Sequence, residues 1–110
     1  YKRNPKSGKI INKPEGPDVY NGVVIDYKGK DVSKSNFLKI ITSDQEAMQS
    51  IGTGKIVRGE QNDKICIIFV AHGTTRLFGF PDDFLFTDEL NDAFNSMHGN
   101  GTYEEVKFCC

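Results

Sequence analysis

The chain has 110 residues and a formal net charge of -1, which leaves room for one small domain and excludes a multidomain enzyme. The nearly balanced charge gives no reason to expect nucleic acid or an anionic membrane as a partner. The longest apolar run covers residues 65–71, far fewer than the roughly 20 residues of a membrane-spanning helix, so we expect no membrane span.

The first 22 residues contain three of the four prolines of the chain and several turn signals. They predict an extended arm in which residues 9–11 could form a short strand. Residues 22–27 include an apolar, β-branched run that predicts the first strand proper. The chain starts at Tyr1 and stops inside a predicted final strand, so we expect it to be a piece of a longer protein.

Two helices are predicted next. Ser33 can cap the first of them, in which Phe37 and Ile41 share one apolar face. The second helix is predicted from the capping-box spacing of residues 43–46, and Gly52 is expected to end it.

The second half of the chain contains the clearest strand. Residues 64–71 form an unbroken apolar run that predicts a strand covered on both faces, as in a parallel sheet between helices. Residues 77–81 predict a shorter strand or a hairpin arm. A helix is expected to begin at residues 87–89 and to stop at Gly99, and residues 106–110 predict the start of another strand. This order of elements indicates an α/β fold with a mostly parallel sheet.

Two histidines are candidates for chemistry. His72 and Gly73 directly follow the strand predicted at residues 64–71, and the C-terminal edge of a parallel sheet is where α/β proteins place their sites. His72 is therefore a candidate catalytic residue, although a single histidine in a turn is more often a solvated one. His98 lies in the last predicted helical turn, where a structural role that complements the helix dipole is expected.

The cysteines and one asparagine complete the set of notable residues. Cys66, Cys109 and Cys110 are too few and too irregularly spaced for a disulfide framework or a zinc site, so no metal is expected. The sequence Asn-Gly-Thr at residues 100–102 is an N-x-T acceptor in a predicted turn. Asn100 is therefore a glycosylation candidate if the protein enters a secretory pathway.

Segments spread over nearly the whole chain resemble, in order and spacing, those of the legumain family of cysteine endopeptidases, also called asparaginyl endopeptidases or vacuolar processing enzymes. The matching segments are residues 10–23, 26–33, 36–38, 51–56, 72–75, 80–83, 88–91 and Tyr103. Several dispersed motifs in the same order are more specific than any single short pattern.

The resemblance implies a caspase-like fold, a mostly parallel sheet flanked by helices, that is incomplete at both ends. Residues 1–110 then form part of a legumain-like peptidase domain, with an extended arm at residues 1–22 and an α/β portion at residues 23–110 that carries the catalytic histidine. The resemblance also implies protein or peptide substrates, no cofactor, and a lysosomal, vacuolar or secretory location.

By this resemblance His72 falls on the catalytic histidine of the family, and Gly73 on the glycine whose backbone N–H helps to hold the oxyanion. Legumains usually carry Asp where this chain has Ala71, a departure that we interpret as tuning and not as loss of the catalytic pair. The catalytic cysteine is expected about three residues beyond Cys110. Cys110 itself would be the nucleophile only if the last strand were shortened, and Cys109 and Cys110 are expected to be small apolar strand residues that face opposite sides.

The leading hypothesis is a protein that hydrolyses peptide bonds after Asn through a His–Cys pair, the present chain lacking the nucleophile and being inactive alone. One alternative is the catalytic subunit of glycosylphosphatidylinositol transamidase, which shares the fold and the pair but transfers its substrate to an amine. Another is a catalytically inactive truncated pseudoprotease or binding module. Residues 14–22 favour legumain over the transamidase.

Overall fold

The computed structural model describes residues 5–110, so the first four residues of the predicted arm lie outside the described residues. Within that range the helices are α1 (Lys34–Ile41), α2 (Gln45–Met48) and α3 (Thr87–Gly99). The strands are β1 (Lys64–Ile68), β2 (Gly73–Thr74), β3 (Leu77–Gly79), β4 (Phe84–Phe86) and β5 (Glu105–Cys109). A single 3₁₀ turn at Gly29–Asp31 precedes α1.

The described part of the arm has no regular strand. The segment predicted at residues 9–11 is reduced to one antiparallel bridge between Ile11 and Asp18. The carboxylate of Asp18 accepts hydrogen bonds from the N–H groups of Ile10 and Tyr20, each at 3.0 Å. These donors stabilise the ionised form, so the pKa of Asp18 lies below its ordinary value.

The strand predicted at residues 22–27 is wrong. The segment is irregular, and Val24 is 75% exposed, because no other strand in the described part of the chain pairs with it. Instead, side-chain hydrogen bonds connect the end of this segment to the residues after α2. The Tyr27 hydroxyl donates to the Lys55 carbonyl, and the Thr53 hydroxyl donates to the Asp26 carboxylate at 2.7 Å.

The first two helices begin with the expected chemistry but not always at the expected residue. The side chain of Ser33 accepts from the Asn36 N–H at 3.2 Å and caps α1, as predicted. The cap of α2 is Asp44 and not Ser43, whose φ is +66° and whose hydroxyl donates to the Val57 carbonyl. Gly52 follows α2 with a φ of +52°, and a Cβ there would lie 2.1 Å from the Asp26 carbonyl oxygen.

β1 and β5 form a parallel pair that is shorter than predicted. Its register matches Lys64 with Glu105 and Ile68 with Cys109. Phe69 still donates its N–H to the Cys109 carbonyl at 2.7 Å, but Val70 and the residue after it leave the ladder.

The prediction that both faces of this strand are covered is wrong. Ile65 and Ile67 pack against the core, whereas Cys66 is exposed and Ile68 is 75% exposed on the opposite face. The strand pleat sends alternate side chains to opposite faces, and within residues 5–110 the helices pack on one of them.

A small antiparallel sheet, in the order β2-β3-β4, follows the parallel pair. It confirms the hairpin arm that residues 77–81 predict. The turn between β2 and β3 contains Arg76, whose φ is +68°. β4 leads directly into α3, which has the predicted bounds. In the first turn of α3 the Glu89 carboxylate accepts a hydrogen bond from the Phe86 N–H at 2.9 Å.

The core lies between the helices and the inner face of the sheet. Its buried residues are Ile41, Leu85, Leu90, Ala93 and Met97. A chain of ring contacts extends it toward the end of β1, with Phe69 within 6 Å of Phe37, Phe78, Phe80 and Phe108. The α/β class, with a parallel pair of strands flanked by helices, is therefore confirmed. No helix in the described range has the length and apolar character needed to cross a membrane.

Candidate functional site

His72 and Gly73 lie where β1 passes into the small antiparallel sheet. β1 ends at Ile68, a short irregular segment follows, and Gly73 is the first residue of β2. The His72 carbonyl accepts the Gly79 N–H at 2.6 Å. The backbone of the candidate histidine is thereby attached to β3, so its position is set by two neighbouring elements of the sheet.

The imidazole of His72 is exposed, and no hydrogen bond or ion pair to another described residue engages it. It borders a groove of about 460 Å³ whose other walls are mostly apolar. Aromatic side chains of Phe69, Phe80 and Phe84 line much of this groove, together with Val32. An unpaired imidazole beside an apolar groove can exchange a proton with a molecule bound there.

Gly73 borders a second, smaller groove of about 260 Å³, which it shares with Cys110. Both grooves include Phe69 and Ala71, so they lie side by side along the irregular segment after β1. A Cβ on Gly73 would lie 3.0 Å from the Leu77 carbonyl oxygen, which is tighter than ordinary contact. Glycine therefore allows β2 and β3 to approach closely at this point.

All three cysteines are free and exposed thiols. Cys109 ends β5 and does not line either groove, whereas Cys110 follows the strand and lines the groove of Gly73. The prediction that Cys110 is a strand residue is therefore wrong, because the ladder ends one residue earlier. Within residues 5–110 no group of three His, Cys, Asp or Glu side chains is placed to hold a metal ion.

The structure separates the other two candidates from His72. His98 is exposed in the last turn of α3, and its ring centre lies 5.8 Å from that of Tyr103. Asn100 follows the same helix and is also exposed. Since α3 starts next to the strand that contributes Phe84 to the groove, both residues lie at the far end of a helix of 13 residues, about 20 Å away along its axis.

An ion pair that no sequence pattern indicated supports the wall of the larger groove. Lys34 at the start of α1 contacts the Glu89 carboxylate at 2.9 Å, and its N–H donates to the Asp83 carboxylate at 3.3 Å. The hydrogen bond from Lys34 and then that from the Phe86 N–H lower the pKa of Glu89. These contacts join α1, the loop that carries Pro81, and the start of α3. They span 49 and 55 residues in sequence, so no local spacing could have revealed them.

Similarity to known proteins extends over the chain. The model of the Peptidase C13 family matches residues 1–110. Legumain from Homo sapiens is 39% identical over 105 residues, which cover 96% of this chain and 24% of that protein. Legumain from Bos taurus is 37% identical over the same share of each chain. A vacuolar-processing enzyme from Vicia sativa is 38% identical over 106 residues, covering 96% of this chain and 21% of the relative.

The chain therefore spans about a quarter of the length of these relatives. The resemblance to legumains, drawn from dispersed motifs, is confirmed, and the parallel sheet flanked by helices is consistent with the caspase-like fold that it implied. The family model covers every residue, and the alignments with the relatives cover 96% of the chain. The chain therefore belongs to the Peptidase C13 family, together with legumains and vacuolar-processing enzymes.

Proposed function

We propose that the whole protein is a cysteine endopeptidase that cleaves protein or peptide substrates after Asn, and that His72 is its general base and acid. The observation that carries this proposal is the position of His72: an unpaired, exposed imidazole in the short segment that follows the parallel strand β1, beside an apolar groove. Membership of the Peptidase C13 family supports the thiol chemistry.

The proposed reaction uses two groups of this chain. His72 takes the proton of a cysteine thiol, and the thiolate attacks the carbonyl carbon of the peptide bond. The backbone N–H of Gly73 contributes to stabilising the negative charge that develops on the carbonyl oxygen. His72 then protonates the leaving amine, and water hydrolyses the resulting thioester.

The resemblance to legumains supports a nucleophile beyond Cys110, because it implies a catalytic cysteine about three residues past that position. β1 residues match β5 residues at a constant separation of 41 positions, from Lys64 with Glu105 to Ile68 with Cys109. The segment from Val70 to His72 leaves this ladder, so the pairing alone does not bring a residue alongside His72. Because the nucleophile is expected beyond Cys110, we propose that residues 1–110 alone do not cleave peptide bonds.

The proposed location is lysosomal, vacuolar or secretory, and the name of the vacuolar-processing enzymes among the relatives supports the vacuolar one. The relatives reported above are named legumain or vacuolar-processing enzyme, and no observation favours the transamidase subunit, the pseudoprotease or the binding module over the endopeptidase.

A covalent peptide probe tests the proposal on the full-length protein. The probe carries Asn at the cleavage position and a thiol-reactive group, and a matched probe carries Gln instead. We expect Asn-dependent labelling of a cysteine beyond Cys110, located by mass spectrometry, together with cleavage of an Ala-Ala-Asn reporter. Labelling of Cys110 would refute the placement that the resemblance implies and make Cys110 the nucleophile. Absence of both labelling and cleavage would refute the endopeptidase.

A further inference from the structure

The turn after α3 carries the only N-x-S/T sequence among the eight asparagines of the chain, Asn-Gly-Thr at residues 100–102. The structure leaves the side chain of its asparagine accessible. Asn100 is exposed, and its side-chain amide has no hydrogen-bond partner among residues 5–110. A glycan needs such an unobstructed position because it is bulky and strongly hydrated.

The backbone hydrogen bonds of this turn do not involve the Asn100 side chain. The Asn100 N–H donates to the Ser96 carbonyl at 3.0 Å and closes α3. Gly101 has a φ of +64°, and nothing lies within 4 Å of a Cβ built on it. The turn therefore projects into open space at Gly101, directly after the exposed Asn100.

Thr102 fixes the exit of the turn. Its hydroxyl donates to the Met97 carbonyl at 2.9 Å, and its N–H donates to the same oxygen at 3.1 Å. The third residue of the acceptor sequence is thus hydrogen-bonded to the last turn of α3. A sugar on Asn100 is therefore attached at an ordered position on the surface.

We propose that Asn100 is an N-glycosylation site that carries an oligosaccharide in the secreted or vacuolar protein, an inference that rests on the location given under the proposed function. In the modification the Asn100 amide nitrogen forms a bond to the anomeric carbon of a lipid pyrophosphate-linked oligosaccharide. The bond from that carbon to the pyrophosphate oxygen breaks, and the lipid pyrophosphate leaves with the electron pair while the amide loses one proton.

The site is compatible with the proposed peptidase activity. Asn100 lies at the end of α3 that is remote from Phe84 and from the groove of His72, about 20 Å along the helix axis. A glycan there adds hydrated bulk beside the N-terminal end of β5 and leaves the groove open to a peptide.

The test uses the full-length protein secreted from eukaryotic cells. We expect a gel mobility shift that a peptide N-glycosidase removes, and conversion of Asn100 to Asp with uptake of heavy oxygen from labelled water. The shift should disappear in Asn100→Gln and persist in Thr102→Ser, which keeps both the acceptor sequence and the hydroxyl. Asn95→Gln is the matched control, because Asn95 is exposed on the same helix but lies outside any acceptor sequence.

A second variant separates this inference from the proposed location. Val23→Thr creates an acceptor at Asn21, in an exposed turn of the same protein. Glycosylation at Asn21 of that variant without any at Asn100 overturns the proposed site while the secretory route stands. An unmodified Asn100 overturns the site in every case. Cleavage of the Ala-Ala-Asn reporter is measured separately, so the loss of either proposal leaves the other intact.

Discussion

Replacing His72 by Ala in the full-length protein is the perturbation that most directly tests the proposed reaction. The imidazole is exposed and has no hydrogen-bond or ion-pair partner among the described residues, so its removal breaks no such interaction and leaves no buried polar group unsatisfied. The backbone hydrogen bond from Gly79 to the His72 carbonyl does not depend on the side chain. We therefore expect His72→Ala to fold with an unchanged thermal midpoint.

The expected loss of turnover is much larger than any effect on folding. A positioned proton carrier typically contributes ~10²- to 10⁴-fold to the rate, which corresponds to about 3–5 kcal/mol of activation free energy. The KM should change far less, because the walls of the groove are formed mainly by aromatic and aliphatic side chains that the substitution leaves in place.

The assay measures kcat and KM on an Ala-Ala-Asn reporter, with circular dichroism to verify folding. His98→Ala is the matched control, because His98 is also an exposed histidine but lies at the far end of α3. Its turnover should equal that of the unaltered protein. A folded His72→Ala variant with near-normal kcat would remove the central residue of the mechanism. Loss of turnover in both variants, with altered circular dichroism, would show that the effect comes from misfolding.

Three further predictions concern stability, measured by thermal or urea unfolding of the full-length protein. Because the Glu89 pKa is lowered, the contribution of its pairing with Lys34 should be complete above the ordinary value of 4.5 and should vanish as the pH falls through the folded-state pKa. Glu89→Gln should flatten this acid limb, and an unchanged limb would contradict the pairing. Leu85→Ala should cost about 2–5 kcal/mol because Leu85 is 0% exposed, and a change below about 0.5 kcal/mol would mean that the burial pattern is wrong. Ser33→Ala should cost about 1 kcal/mol by removing the cap of α1, and Ser33→Asp should restore most of it.

Local chemistry explains which elements the sequence predicts well. The start of α1 follows from a serine side chain that can accept a nearby backbone N–H. α3 ends at the predicted Gly99, but the glycine with a left-handed φ that closes it is Gly101, whose N–H donates to the His98 carbonyl. In both cases the interacting groups lie within a few residues of each other. The same reasoning misplaces the cap of α2 by one residue, because Ser43 is used in a contact with Val57, which is 14 residues away.

Strands were harder to predict because pairing depends on residues far away in sequence. Val24 and its neighbours have the composition of a strand, but within residues 5–110 no partner strand lies beside them. Val70 continues the apolar run of β1, yet the ladder ends where β5 ends, at Cys109. The role of His72 and Gly73 stays a prediction, and their place differs from the expected one: β1 ends at Ile68, so His72 lies four residues beyond the strand and directly before β2. The groove beside His72 could not be predicted from the sequence, because its walls come from four separate segments.

The two-stranded parallel sheet has a consequence for handling residues 1–110 as an isolated polypeptide. With only β1 and β5 in this sheet, each strand has one edge whose N–H and C=O groups have no strand partner in the described part of the chain. Such edges add strands from neighbouring copies, and the uncovered Ile68 favours stacking of the resulting ribbons. The ion pair of Lys64 with Glu105 and the charge of Lys107 make the same outer face partly polar, which opposes this stacking. The mass-average molar mass of the isolated polypeptide, measured by light scattering, should therefore increase as its concentration is raised.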